Sequence, residues 1–328
     1  MRRQRHERRA ALGFLLPNLI GFGVFTAGPV LFSLVISISN WHLHRTVAFQ
    51  WVALRNFVEL LQDRDFWLYS INTAYLMLGI PFAIAGSLLL AIVLSQRLRG
   101  IVVYRTLFYL PTFTSGVALM LLWKALYNPE FGALNAVINW WLDSLHLNEL
   151  VRALGGGGVS APTWLLSTKN MLGLDVEQIR IIPGQWGLGA RDALIIMGIW
   201  IAIGGNNMLL YLAGVSNIPP ELVEAAQLDG AGRWAIFRNV TWPQLAPTTF
   251  FIVVMSFIGG LQGGFEQARV MTLGGPAGTT TTISYYIYTK AFEEFQIGYA
   301  AALSWVLFSA IFVITMINWR LGGKELHY

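Results

Sequence analysis

The sequence predicts an all-α integral membrane protein with about six transmembrane helices, and three observations carry that prediction. The 328 residues are 55% hydrophobic and only 12% charged, with a mean hydropathy of +0.56. A soluble domain of this size carries about twice that charged fraction. Its apolar residues are gathered into long runs without Asp, Glu, Lys or Arg: Ala10–His44, Phe66–Gln96, Thr106–Trp123, Ala193–Pro220, Asn239–Phe265 and Phe295–Trp319. A helix needs roughly 20 apolar residues to cross the hydrocarbon core, and all of these runs except Thr106–Trp123 exceed that. The third observation is where the basic residues fall. With an even number of crossings both termini share one side, and that side collects 12 basic residues against 5 acidic ones, while the other holds 10 and 12. The positive-inside bias places the termini in the cytoplasm. The net charge of +5 is then a signal of topology, and no clustered basic face points to nucleic acid.

Taken in order, residues 1–10 form a basic cytoplasmic arm (Arg2, Arg3, Arg5, Arg8, Arg9) before a membrane domain over 11–320. The first helix, about 11–38, is too long for a secretory h-region and lacks a convincing cleavage site, so it reads as an uncleaved anchor. Its Pro17, Gly21, Gly23, Gly28 and Pro29 are tolerated because neighbouring groups satisfy freed backbone in a membrane. The outer loop Ser39–Asp65 offers Trp41 and Trp51 as interfacial anchors. Helix two covers about 68–96, and a tight turn from Arg97 to Arg105 returns into helix three, about 105–127. That helix has the shortest run, and Arg105 and Lys124 can snorkel from its ends.

Residues 128–191 form an extracytoplasmic insertion. Phe131–Leu142 suits an interfacial helix, Gly155–Gly158 a flexible joint, and the remainder, with Asp175, Glu177 and Arg180, shows no period. Helices four (about 192–215) and five (about 247–268) flank a cytoplasmic loop, 216–246. Val270–Thr289 is too rich in Gly, Thr and Pro to span. Helix six covers about 297–319, and 321–328 is a cytoplasmic tail. No internal repeat is evident. The chain has no cysteine, which excludes disulfides, thiolate metal sites and thiol redox chemistry. His42 and His44 read as ordinary outer-loop residues, and no metal site or catalytic residue is predicted.

The most informative stretch is the 216–246 loop. Pro219–Pro220 suits a helix start, where a missing N–H costs nothing. Glu221 and Glu224 then face the positive end of the helix dipole. Ala225 and Ala226 leave a narrow surface for close approach, and Gly230 reads as a left-handed stop. A second apolar turn, Trp234–Phe237, precedes Pro243. The residues alone fit equally a short docking helix on the inner membrane face and a plain capped connector.

The spacing Glu224-Ala225-Ala226, Gly230, Val240, Trp242, Pro243 resembles the coupling-loop signature of binding-protein-dependent ABC importers, with Val240 and Trp242 where Ile and Leu are commoner. Asp229-Gly230-Ala231 is similar to the form in the sugar-permease branch. Leu54-Arg55-Asn56-Phe57, Asn72-Thr73, Arg105 with Phe108-Tyr109-Leu110-Pro111, and Pro162-Thr163-Trp164-Leu165 also resemble that family, in its order. So do Thr272-Leu273-Gly274-Gly275-Pro276 and Tyr286–Tyr288 before Ala291-Phe292. The match is to the first permease of a maltose-type pair, with 167–191 longer than usual.

The resemblance implies a permease subunit paired with a second permease in a heterodimer, two ATP-binding subunits, and an extracytoplasmic solute-binding protein. It places the chain in a bacterial or archaeal cytoplasmic membrane, amid lipid, and makes the 216–246 helix a cytoplasmic coupling helix. Glu221, Glu224, Ala225, Ala226, Asp229, Gly230 and Pro243 form the ATPase-coupling loop, and Gly274, Gly275 and Pro276 face the binding protein. ATP and Mg would be bound by the partner ATPase subunits; the chain itself carries no cofactor. Its own Gly322-Gly323-Lys324-Glu325 lacks the earlier glycine and the hydroxyl that a phosphate-binding loop needs. The branch points to a sugar or oligosaccharide. Trp200, Asn206, Asn207 and Tyr211 along helix four and Gln262 late in helix five offer aromatic faces and amides for it, although membrane amides also bond helix to helix. The alternative, an ion-coupled secondary transporter, needs ionisable groups within the spans. The reading finds essentially none beyond Lys124 and Glu266 at the ends. A membrane enzyme lacks both a nucleophile motif and a His/Asp/Glu cluster.

Overall fold

A computed structural model describes residues 2–43, 48–96, 99–147, 149, 151, 159–175 and 180–322. Of the residues named above, His44, Arg97, Gly155 to Gly158, Glu177 and Gly323 to Glu325 lie outside them. The described residues are mainly helical, with one antiparallel pair of two-residue strands, Leu174–Asp175 against Arg180–Ile181. Five helices among them are long and apolar enough to cross a membrane: Leu12–Ser37, Arg64–Ser95, Ala190–Ser216, Arg233–Gln262 and Ile297–Arg320. A sixth crossing results if Ile101–Phe113 and Gly116–Leu126 count as one broken span. The protein is thus an all-α integral membrane protein, as the charge-free runs require: in hydrocarbon a helix bonds its own backbone throughout.

The chain forms two compact units, Met1–Phe66 with Tyr286–Ala310, and Trp67–Tyr285 with Ile311–Tyr328. In the first, helix Arg2–Phe22 runs through a π-helical turn, Gly23–Ala27, into Gly28–Ser37. The backbone of the predicted basic arm is helical from Arg2 and runs on into the first span, since Arg, Gln, Glu and Ala are good helix formers. Buried Asn56 closes the far end by donating to the Ser37 and Ser39 carbonyls, both at 2.8 Å. Asp63 Oδ2 accepts the hydroxyls of Tyr286 at 2.5 Å and Tyr299 at 2.8 Å. Burial first, and then the Asp63 carboxylate, raises the Tyr286 phenol far above its ordinary range, so it stays a proton donor.

In the second unit, helix Gly79–Ser95 packs along both Ala190–Ile203 and Asn206–Ser216. Leu88, Ala91, Leu94, Met208, Tyr211, Leu245 and Ile252 form one buried cluster there. Gly204, between the latter two helices, lies against the backbone of Phe108; a Cβ would sit 2.0 Å from the Phe108 carbonyl oxygen. Only glycine permits that crossing. A second cluster gathers Trp123, Tyr127, Trp164, Leu194, Met197 and Met271.

Three stretches differ from the linear reading. Where the sequence predicts one helix over 105–127, Ile101–Phe113 and Gly116–Leu126 meet at 98°. Pro111 removes a helical N–H in the last turn, and Thr114 and Ser115 turn extended. Residues 233–246, predicted as loop, are helical and continuous with the fifth span, because Pro243 falls in the first turn after a π-helical segment, Phe237–Thr241. The 128–191 insertion, for which the sequence predicts only one short helix, carries the helix Ala133–Ser144 and short turns at Trp164–Leu166 and Pro183–Gln185. Buried Asn135 accepts from Trp164 Nε1 at 2.6 Å and donates to the Pro129 and Pro162 carbonyls.

The spans also hold charges that the sequence reading passes over. Arg191 and Asp192 open the Ala190–Ile203 helix and are 3% and 0% exposed. Asp192 accepts from Tyr75 Oη at 2.7 Å and from the amides of Met171 and Gly189, each at 3.1 Å. Arg191 Nε donates to Asn72 Oδ1 at 3.1 Å and the Thr279 carbonyl at 2.9 Å, with its guanidinium 5.7 Å from the Tyr75 ring centre. Asp192→Leu strips three donors of their acceptor and leaves a buried cation beside them. It should lower stability by about 3–5 kcal/mol, whereas Tyr75→Phe should cost about 1 kcal/mol. Thermal unfolding in one detergent checks the order; equal effects would show that the carboxylate is not the centre of the network.

Candidate functional site

Of the residues predicted to form a coupling loop, all but Pro243 lie on helix Pro220–Leu228 and the turn after it; Pro243 is in the first turn of Trp242–Gln262. Pro219 is the N-cap with extended backbone, Pro220 occupies the first helical position, and Glu221 lies in the first turn. The helix stops where the amides of Asp229, Gly230 and Ala231 reach back to the carbonyls of Ala225, Gln227 and Ala226, at 3.0, 3.0 and 2.9 Å. Gly230 makes this closure at φ +79°, a left-handed geometry that costs other residues strain. Glu221, Glu224, Ala225, Asp229 and Gly230 are exposed and Ala226 is half-buried. The same region shows Leu228, 89% exposed, and Trp234, 71% exposed. Trp234, Phe237 and Trp242 stack in series, 5.4 and 6.3 Å apart, toward exposed Pro243.

The five residues predicted to line a path do not share one surface. Asn207 lines a cavity of about 260 Å³ with Thr73, Ser256, Gln267 and Thr282, floored by Gly198, Gly259 and Gly260. Trp200 lines a different, apolar cavity of about 360 Å³ with Tyr104, Leu107 and Phe108. Asn206 Oδ1 accepts from Tyr109 Oη at 3.1 Å. Tyr211 is fully buried in the Leu88–Met208–Leu245 cluster, because its ring, not its hydroxyl, decides its packing. The Gln262 carbonyl accepts from Ser284 Oγ at 2.6 Å. Sequence reasoning misses Ser256, Gln267 and Thr282. A run of hydroxyls and small residues in one helix and the next turn is the available signal, but it needs the fold to converge.

Gly274 and the cis Gly275–Pro276 bond sit in a loop held from within. Thr279 Oγ1 donates to the Pro276 carbonyl at 2.7 Å, Thr280 Oγ1 to that of Gly275 at 2.8 Å, and Thr281 Oγ1 to that of Gly274 at 3.2 Å. Gly275 and Pro276 border a third cavity, about 380 Å³, with Lys124, Tyr127, Asn128 and Thr163. His42 borders a polar hollow with Trp41, Arg55 and Glu59. Among the described residues no three His, Asp or Glu stand together as metal ligands.

A Cβ at Gly230 would meet nothing within 4 Å. Gly230→Ala should therefore cost only the backbone strain, about 1–2 kcal/mol, while Gly204→Ala, blocked by Phe108, should abolish folded protein. Size-exclusion profiles and thermal unfolding of the two variants check this contrast.

The model of the binding-protein-dependent transport system inner membrane component family matches residues 72–319. The chain is similar to the probable ABC transporter permease protein YesP of Bacillus subtilis, with 31% identity over 99% of this chain and 94% of that one. It is 30% identical to the lactose transport system permease protein LacF of Rhizobium radiobacter, over 93% of this chain and 91% of the relative. It shares its fold with a chain in the crystal structure of a bacterial alginate ABC transporter in complex with alginate pentasaccharide-bound periplasmic protein. That match has a TM-score of 0.75 and 23% identity, over 98% of this chain and 96% of the other.

Proposed function

From the premise that this chain belongs to the binding-protein-dependent transport system inner membrane component family, we propose that it moves a sugar or oligosaccharide inward by alternating access driven by ATP hydrolysis on partner subunits. As an ABC transporter permease it is a multi-pass inner-membrane protein. The observation that carries the reading is the helix Pro220–Leu228. It is short, stopped at Gly230, exposed on its Glu221, Glu224 and Ala225 side, and placed between two spans.

On this reading the helix lies in the cytoplasm, where the basic residues gather, and seats in a cleft of an ATP-binding subunit. Closure of two such subunits on ATP and Mg pulls the helix and switches the cavity between outward and inward access. Moving a two-state equilibrium from about 1:99 to 99:1 takes roughly 5.5 kcal/mol of differential binding. A rigid lever transmits that bias, and the Trp234–Phe237–Trp242 stack stiffens the limb leading to the fifth span. A second permease completes the pathway as a heterodimer, and a solute-binding protein delivers substrate near Gly274, Gly275 and Pro276. The chain supplies no ATPase site of its own.

The sugar assignment follows the carbohydrate named for a relative such as LacF and the lining around Asn207. Amide and hydroxyl groups of Asn207, Ser256, Gln267, Thr73 and Thr282 suit a neutral polyhydroxylated solute. The ion-coupled alternative gains the Arg191–Asp192 pair, but both side chains are engaged by protein partners, which suits a brace better than a relay.

Glu224→Lys and Gly230→Pro should each uncouple ATP hydrolysis from uptake in reconstituted vesicles, by roughly tenfold or more, while the chain still inserts and assembles. Uptake that persists without ATP and follows an ion gradient would sink the reading. Asn207→Ala should lower uptake with assembly intact, and unchanged uptake would remove the cavity from the path.

A further inference from the structure

A polar network around the 272–282 loop lies between two cavities that the transport reading uses separately, and sequence neighbours of its members line one of them. At one end are Gly275 and Pro276, which border the cavity beside Lys124 and Thr163. Their carbonyls accept from Thr280 and Thr279, and Thr280 Oγ1 lies 2.6 Å from Thr272 Oγ1. The next link is Asn72, fully buried, whose Nδ2 donates to the Gly278 carbonyl at 2.8 Å and the Thr281 carbonyl at 3.0 Å. Arg191 holds the same loop at the Thr279 carbonyl and holds Asn72 at Oδ1. At the other end the neighbours of these residues line the Asn207 cavity. Thr73 follows Asn72, Thr282 follows Thr281, and Leu194 and Ile195 lie one turn beyond Arg191 on the same helix face. Thr73 Oγ1 also accepts the amide of Ile283 at 3.1 Å.

We infer that Asn72 and Arg191 are positioning residues that lock the 272–282 loop to the cavity wall, so that a contact made at Gly275–Pro276 changes access to the Asn207 cavity. The identity of the partner touching the loop rests on the transport reading; the mechanical link does not. Buried polar groups at a membrane span are costly, and anchoring the loop alone would need only one of these two side chains. Both reach it while also bonding to each other, so the loop cannot shift without moving helix Arg64–Leu76 or helix Ala190–Ile203.

The full chain contains no cysteine, so Ser256→Cys gives one thiol reporter in the cavity and Leu228→Cys, 89% exposed and outside the cavity lining, a control. Asn72→Asp keeps the acceptor for Arg191 but removes both donors to the loop. Thr280→Val loosens the loop from its own side and leaves the cavity wall untouched. In nanodiscs, each should speed hydrogen exchange at amides 274–283. Each should also change the maleimide labelling rate of the cavity thiol by roughly tenfold, with the control thiol unchanged. Faster loop exchange with unaltered labelling in the cavity would mean a plain anchor and overturn the inference. Unaltered exchange in both variants would overturn it as well. Neither readout needs ATP or a binding protein, so a negative result here leaves the vesicle uptake experiment to decide the transport reading. Conversely, vesicles that fail to use ATP would leave these labelling results intact.

Discussion

A charge taken out of water needs hydrogen-bonding partners from the protein, since neither bulk solvent nor hydrocarbon supplies them. Arg191 and Asp192 impose that demand at the mouth of a span, and the second unit is arranged around meeting it. Asp192 draws together Tyr75 of one helix and the amides of Met171 and Gly189 from the insertion. Arg191 draws in Asn72 and the threonine-rich loop. Two adjacent residues thus fix the relative places of four chain segments far apart in sequence. An apolar core of Leu, Met and Trp then fills in beneath them.

The helix Pro220–Leu228 is built on the opposite principle. Its acidic groups and its terminal Leu228 stand in the open, and none of its residues is buried. Its shape comes from local chemistry: a proline at the first position and a glycine that closes the end. Such an element keeps its form when it moves. On one side it follows the Asn206–Ser216 helix, whose first turn lines the Asn207 cavity; on the other it leads into Trp242–Gln262, which contributes Ser256, Gly259 and Gly260. On the transport reading, a lever with both arms in the cavity wall opens and closes that wall. The braced loop at the far end gives it something rigid to work against.

The parts legible in the sequence are those whose cause is local. Charge-free runs longer than the hydrocarbon thickness have one stable solution, a helix, so the spans follow from Phe66–Gln96, Ala193–Pro220 and their like. The Pro220–Leu228 helix is legible because every interaction that shapes it lies within a turn or two, whereas the spaced Glu224, Gly230, Pro243 signature is legible only by its resemblance to a family. What the order of residues does not reveal is convergence. Ser256, Gln267 and Thr282 line one cavity with Asn207 only because segments remote in sequence converge there. Tyr211 has the chemistry of a path residue but turns its ring into the core, since a side chain's direction depends on what is packed beside it. Asp192 is inconspicuous at a span boundary, because the local cap to the Gly189 amide does not reveal that Tyr75 and Met171, remote in sequence, also donate to it. The 98° break after Pro111 and the folded insertion around Asn135 likewise depend on partners remote in sequence. Composition and spacing therefore determined that this chain spans a membrane and presents a capped helix between two spans. The tertiary structure alone decided which polar groups face one another, because a hydrogen bond selects its partner by position in space and leaves no period along the chain.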